Sequence, residues 1–111
     1  MSRKRVVPLA AAIEDVDEIA DYYTDVSGKA LAHRFANALT ASYRRIASHP
    51  GIGSLRYEIA LGLDGLRVWQ LRGFPYLVFY VERTDEIEVW RVLHAERDLM
   101  TELADEADPQ E

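Results

Sequence analysis

Two different periods of hydrophobic and polar residues divide the chain. From Ile13, apolar side chains recur every third or fourth position (Ile13, Val16, Ile19, Ala20, Tyr23), which predicts one face of an amphipathic helix. Ser27-Gly28 interrupts that pattern, and glycine is the usual helix stop. A second helical face follows from Lys29 to about Ser48, with Leu31, Phe35, Ala38, Leu39, Ser42 and Ile46 on one side. His49-Pro50-Gly51 ends it, because a residue before proline is pushed out of the α region. So short a connection predicts an antiparallel helical hairpin. After Leu63-Asp64-Gly65 the period falls to two. Leu66, Val68 and Gln70 alternate with Arg67, Trp69 and Leu71. Tyr76 to Val81 is continuously apolar, as in a strand buried on both faces. Beyond the charged loop Arg83-Thr84-Asp85-Glu86, the residues Ile87, Val89, Arg91 and Leu93 alternate with Glu88, Trp90, Val92 and His94.

These three strands, joined by short turns, predict an antiparallel meander. Residues 5–9 (Arg5, Val6, Val7, Pro8, Leu9) read as a further strand, at a sheet edge because of the proline. Residues 95–104 read as a short amphipathic helix. The order is strand, helix, helix, three strands, short helix, which predicts an α+β fold with the hairpin laid on one face of a small sheet. Residues 1–104 are expected to form a single domain and 105–111 an acidic, frayed tail.

Composition narrows the chemistry. At 111 residues, 49% hydrophobic and 29% charged, the chain suits one small globular domain and has no room for separate cofactor and substrate domains. Cysteine is absent, which excludes disulfides, thiolate metal sites and cysteine nucleophiles. The three histidines stand at 33, 49 and 94 without metal-ligand spacing, and no Gly-rich phosphate loop occurs, so neither metal nor cofactor is expected. No apolar run approaches the roughly 18 residues of a membrane span. The basic start does not read as a signal peptide, so a cytoplasmic location without membrane association is expected.

The net charge of −6 opposes avid, sequence-independent nucleic-acid binding, and it conceals a segregation. Residues 14–25 hold six acids and no base, whereas Lys29 to Arg72 hold seven bases against Glu58 and Asp64. Eleven of the thirteen bases are arginine, whose planar fork suits carboxylate or phosphate. The acids crowd the N-terminal half of the first helix, where its dipole would favour them.

Five stretches carry a family resemblance. They are Ile19-Ala20-Asp21-Tyr22-Tyr23, His49-Pro50-Gly51-Ile52-Gly53, Gly65-Leu66-Arg67, Phe74-Pro75-Tyr76-Leu77-Val78-Phe79-Tyr80, and Arg91-Val92-Leu93-His94-Ala95-Glu96-Arg97-Asp98. In this order and spacing the chain resembles the ParE/RelE superfamily of toxins from type II toxin–antitoxin systems, and ParE in particular. The resemblance implies a RelE/ParE-like two-layer fold and one of two activities. RelE-like members cut messenger RNA on the ribosome; ParE-like members bind DNA gyrase and trap it with cleaved DNA.

Metal-free RNA cleavage needs a proton acceptor for the 2′-hydroxyl, cations for the phosphorane, and an acid for the leaving oxygen. RelE-like toxins supply these from sheet Lys and Arg and a C-terminal Tyr or His-Tyr. Here Arg67, Arg91 and His94 remain, but Lys occurs only at 4 and 29 and no Tyr follows Tyr80. The expectation is therefore a binding protein without catalytic residues. RelE-like ribonuclease activity is the alternative, and a toxin-like fold kept only as a non-toxic antitoxin-binding module is a third reading.

Two protein partners are implied: the A subunit of gyrase and a ParD-like antitoxin in a hetero-oligomer. No sequence-specific nucleic-acid binding by the toxin alone is expected. The candidate target-binding residues are Arg67, Trp69, Arg91, His94 and Arg97. Arg56, Arg67 and Arg72 are the candidates for antitoxin contact, complementing acids on an arm that folds as it binds. Each has a structural alternative: Arg91, if buried, needs a carboxylate such as Asp98 or Glu88. His94 to Asp98 also fits a helix start.

Overall fold

A computed structural model of the chain describes residues 3–107, with side chains as far as Leu103. Strand β1 (Arg5–Pro8) leads into the hairpin of α1 (Ala10–Ser27) and α2 (Lys29–Ser48). A 3-10 turn (Pro50–Ile52) and a one-turn helix α3 (Glu58–Leu61) follow, then β2 (Leu66–Gln70), β3 (Tyr76–Glu82) and β4 (Glu86–His94), and finally α4 (Leu99–Ala107). The sheet order is β1-β4-β3-β2, with β1 parallel to β4 and the other pairs antiparallel. The α+β class, the edge position of β1 and the meander agree with the sequence.

The hairpin covers one face of the sheet. Phe35, Leu39 and Ile46 of α2 and Ala12 and Ile19 of α1 pack there on Val78, Tyr80, Ile87, Val89 and Val92. At one end of this core the rings of Tyr23, Phe35, Phe74 and Tyr76 meet at centroid separations of 5.5–6.3 Å, mostly edge to face. Burial of α1 differs from the sequence expectation at one position: Ile13 is half exposed. The buried stripe is Ala12, Asp15 and Ile19, flanked by Val16 and Tyr23. Ile13 lies about 100° around the helix from Ala12, off that stripe. The acids begin at Glu14, beyond the first turn, so the dipole does not account for them.

The opposite face carries a smaller core. Leu99 and Leu103 of α4 pack with Leu66, Val68, Leu77, Phe79, Val81 and Leu93, and Tyr57, Leu61, Leu63 and Trp90 close its edge. β3 is thus buried on both sides, as its unbroken apolar run predicted.

The expected alternation in β4 breaks at a bulge. Phe79 pairs with Arg91 but Tyr80 pairs with Val89, so Trp90 is the extra residue. The slip brings Val89 and Val92, three apart in sequence, to the same hairpin-side core, while Leu93 joins the other. Helix α4 starts at Leu99 and not at 95. Residues Ala95–Arg97 turn first, with the Arg97 N–H donating to the His94 carbonyl. Asp98 then caps the helix: its carboxylate accepts from the Thr101 N–H at 3.3 Å and the Thr101 hydroxyl at 2.8 Å. Those two bonds favour the ionised form and hold its carboxyl below the usual value. The helix runs through Ala107, and the remainder of the acidic tail, 108–111, lies outside the described residues.

Candidate functional site

The strip of α1 beside β4 begins with a shortage of strand. β1 is only four residues long and pairs with β4 no further than Val89. Beyond that point a side chain takes the place of a neighbouring strand. The Asp15 carboxylate accepts the Val92 N–H at 2.9 Å and two guanidinium bonds from Arg91, at 2.7 and 2.8 Å. Both side chains are nearly buried, 11% and 14% exposed, so the pair is bidentate and largely desolvated. Arg91 also lies 3.3 Å from the Glu102 carboxylate of α4, and Arg97 pairs with Glu102 from the other side. One arginine therefore ties α1, β4 and α4 together. Its partners include Asp15 and Glu102. Asp98 and Glu88, the carboxylates suggested by sequence proximity, are engaged elsewhere: Asp98 in the cap, Glu88 with Arg83 and the Trp90 indole N–H.

Next to this clasp opens a cleft of about 640 Å³. One wall is a stripe of α1 at i, i+4, i+8 spacing, Glu14, Glu18 and Tyr22. Its floor is aromatic: Tyr22 and Tyr23 lie 5.6 Å apart, Tyr23 and Tyr76 6.3 Å, and Tyr76 and His94 5.3 Å. Pro75, Arg91 and Arg97 also line it. Burial, reinforced by the hydroxyls of Tyr23 and Tyr22 and opposed by the charge of Arg97, pushes the Tyr76 hydroxyl up to about 12. It is a neutral donor at physiological pH and not a phenolate base. The His94 ring is fixed by the turn after β4, its Nδ1 accepting the Glu96 N–H at 3.1 Å. In the neutral imidazole this leaves the proton on Nε2, the nitrogen free to face a ligand as a donor.

The structure brings Arg91, His94 and Arg97 into this one cleft and puts the other candidates elsewhere. Arg67 and Trp69 stand on β2, at the far edge of the sheet. Arg67 donates to the Gly51 and Gly53 carbonyls, at 3.2 and 2.8 Å, and so holds the loop after α2. Trp69 packs half-buried against the hairpin core, with the Arg45 guanidinium 5.9 Å from its ring centre. Arg56 lies over the Tyr57 ring at 5.2 Å, and Arg72 is exposed in the turn between β2 and β3.

The loop that Arg67 holds accounts for His49-Pro50-Gly51-Ile52-Gly53. The Tyr80 hydroxyl donates to the Pro50 carbonyl at 2.8 Å and accepts the Gly53 N–H at 2.9 Å. Ser54 bridges to Val68. This motif is architectural.

Sequence reasoning missed Glu14, Asp15, Glu18, Tyr22, Tyr76 and Glu102 as residues of this region. The available signal was Tyr22, an aromatic in line with two acids on the polar side of an amphipathic helix; it is 57% exposed. Among the described residues no cluster of His, Asp and Glu could hold a metal ion, and no helix is long and apolar enough to cross a membrane.

Among solved structures, a chain of the chromosomal ParDE TA system from P. aeruginosa matches with a TM-score of 0.69 at 18% identity. The match covers 83% of this chain and 96% of that one, and shows a shared fold. No curated protein sequence matches. The family model for the ParE toxin of the type II toxin–antitoxin system parDE matches residues 6–99. That match takes in the hairpin, the sheet from Val6 onward and the clasp residues Asp15 and Arg91, and by it the chain belongs to the ParE toxin family.

Proposed function

We propose that this chain is a cytoplasmic toxin that inhibits DNA gyrase by binding it, stabilises the cleaved-DNA state, and is neutralised by a ParD-like antitoxin. Family membership across residues 6–99 is the observation that carries this reading. A protein of this size would act by differential affinity, holding one state of its target and performing no covalent step. The engagement of the candidate residues supports a non-enzymatic role. Arg67 is spent on loop carbonyls, Arg91 on Asp15 and Glu102, and the His94 Nδ1 lone pair on a backbone N–H. None of these is poised to take a proton from a 2′-hydroxyl.

The test adds the purified chain to gyrase, supercoiled plasmid and ATP. Linear, gyrase-cleaved DNA that disappears when antitoxin is added is the expected result. No effect from folded protein overturns the reading. The grouping of Tyr76, Arg91, His94 and Arg97 in one cleft favours ribosome-dependent messenger RNA cleavage as the second reading. Cleavage by the parent that is lost in a His94→Ala variant with an unchanged urea midpoint would establish it. Induction in a bacterial host without any growth defect would leave only a non-toxic antitoxin-binding module.

A further inference from the structure

The charges in the cleft are not balanced. Its two arginines are committed, Arg91 to Asp15 and Glu102 and Arg97 to Glu102. Glu14 and Glu18 on the opposite wall make no ion pair among the described residues. They belong to the stretch 14–25, which has six acids and no base, so the wall carries an uncompensated negative field. The same stripe continues one turn further to Tyr22, which is 57% exposed and adjoins the aromatic floor. Carboxylates beside an accessible aromatic face suit one kind of guest: a cation with a flat, weakly hydrated head. A guanidinium can lie on the Tyr22 ring while its fork donates to Glu18 or Glu14. An ammonium can sit over the ring but does not stack flat on it, and it lacks the fork for the second contact. An acidic anchor would be repelled.

We infer that this cleft is a receptor for an arginine side chain presented by the antitoxin, with Glu14 and Glu18 as its counter-ions and Tyr22 as its stacking surface. The identity of the occupant rests on the proposed neutralisation by an antitoxin; the chemistry of the cleft does not. The polarity is the reverse of the sequence expectation, in which acids of the antitoxin meet toxin arginines. Arg67, the central member of that set, is instead turned onto the Gly51 and Gly53 carbonyls.

The decisive experiment titrates the full-length, 15N-labelled chain with N-acetyl-arginine amide and follows backbone amides by NMR. N-acetyl-citrulline amide, N-acetyl-lysine amide and N-acetyl-aspartate amide are the comparisons. A single anchor of this kind binds in the millimolar range. Saturable shifts at residues 14–22 and 93–97 are expected with the arginine probe, several-fold weaker with lysine and absent with citrulline and aspartate. The exposed double variant E14Q/E18Q should keep a folded spectrum and weaken the arginine probe at least tenfold. Equal response to arginine and citrulline, unchanged binding in the double variant, or no saturable shift overturns the inference. With the antitoxin itself, E14Q/E18Q should also lose at least tenfold in affinity. An antitoxin that binds both proteins equally removes it as the occupant while leaving neutralisation intact. Absence of any antitoxin binding to the unmutated chain overturns neutralisation and the occupant together, and the arginine titration then stands or falls alone.

Discussion

Gly53 is fixed by space and not by backbone conformation: its φ is −76°, which any residue adopts. A Cβ there would sit 2.7 Å from the Tyr80 hydroxyl and 3.0 Å from the Val68 carbonyl oxygen, and neither can retreat. The hydroxyl is held by Pro50 and Gly53, and the carbonyl belongs to a strand and accepts the Ser54 N–H. Gly53→Ala is expected to cost about 2 kcal/mol or more through overpacking, read as a lower urea midpoint at unchanged slope. Tyr43 presents the opposite case. Its hydroxyl is buried without a hydrogen-bond partner among the described residues. Tyr43→Phe should therefore leave stability unchanged or raise it by about 1 kcal/mol. Burial first, and the Asp15 charge second, push the Tyr43 hydroxyl up to about 12, against about 10 in the unfolded chain. A folded pKa above the unfolded one means that the neutral-state contribution is intact below about pH 10 and is lost as pH rises toward about 12. Melting temperatures measured across that window should fall less steeply in Tyr43→Phe. Tyr76 and Tyr80 are raised in the same way, so some alkaline loss will persist. Identical slopes would show that Tyr43 ionises freely in the folded protein.

At the scale of elements, the clasp between α1 and β4 is where one side chain does the work of a strand. Asp15→Ala removes the acceptor of the Val92 N–H and the bidentate partner of a nearly buried guanidinium. A loss of about 3 kcal/mol is expected by chemical denaturation. Combining it with Arg91→Ala should cost clearly less than the sum of the two, since the pair acts as a unit. Simple additivity would mean that the contact is idle. The same elements show what the sequence made legible. Helices α1 and α2 repeat their apolar period over 18 and 20 residues, and β3 is apolar without a break, so each announces itself. Helix α3, at four residues, is too short to show a period. The bulge at Trp90 leaves no mark in the sequence, because Val92 and Leu93 satisfy either phase until Val89 and Tyr80 are seen to pair. Asp15 is one acid among six in its stretch, and only the short reach of β1 singles it out. Arg91, His94 and Arg97 could be read as a group because they are close in sequence; that Tyr76 and this group face the Glu14, Glu18 and Tyr22 stripe of α1 could not.

For the molecule as a whole, the two faces of the sheet are defended unequally, and this decides how target contact should be probed. Two long helices cover one face, whereas the other depends on α3 and α4. Leu99 and Leu103 are buried there against Leu66, Phe79 and Leu93. Each is worth about 1.5–3 kcal/mol of burial, so removing both takes a large part of the 5–15 kcal/mol that holds a small domain. A chain shortened before Leu99 would also forfeit the Glu102 bridges to Arg91 and Arg97. It is expected to bind a hydrophobic dye and to unfold at markedly lower urea. Loss of gyrase inhibition on such truncation would then report damage to the sheet and not a missing contact. Arg97 permits the cleaner question. Its side chain is 57% exposed and its one bridge among the described residues, to Glu102, lies at the surface, where such pairs contribute under about 1 kcal/mol. Arg97→Ala should keep the urea midpoint within experimental error of the parent. If Arg97 touches the target, the variant will lose cleaved-DNA trapping while retaining that midpoint. Full trapping by the folded variant would remove Arg97 from the contact surface.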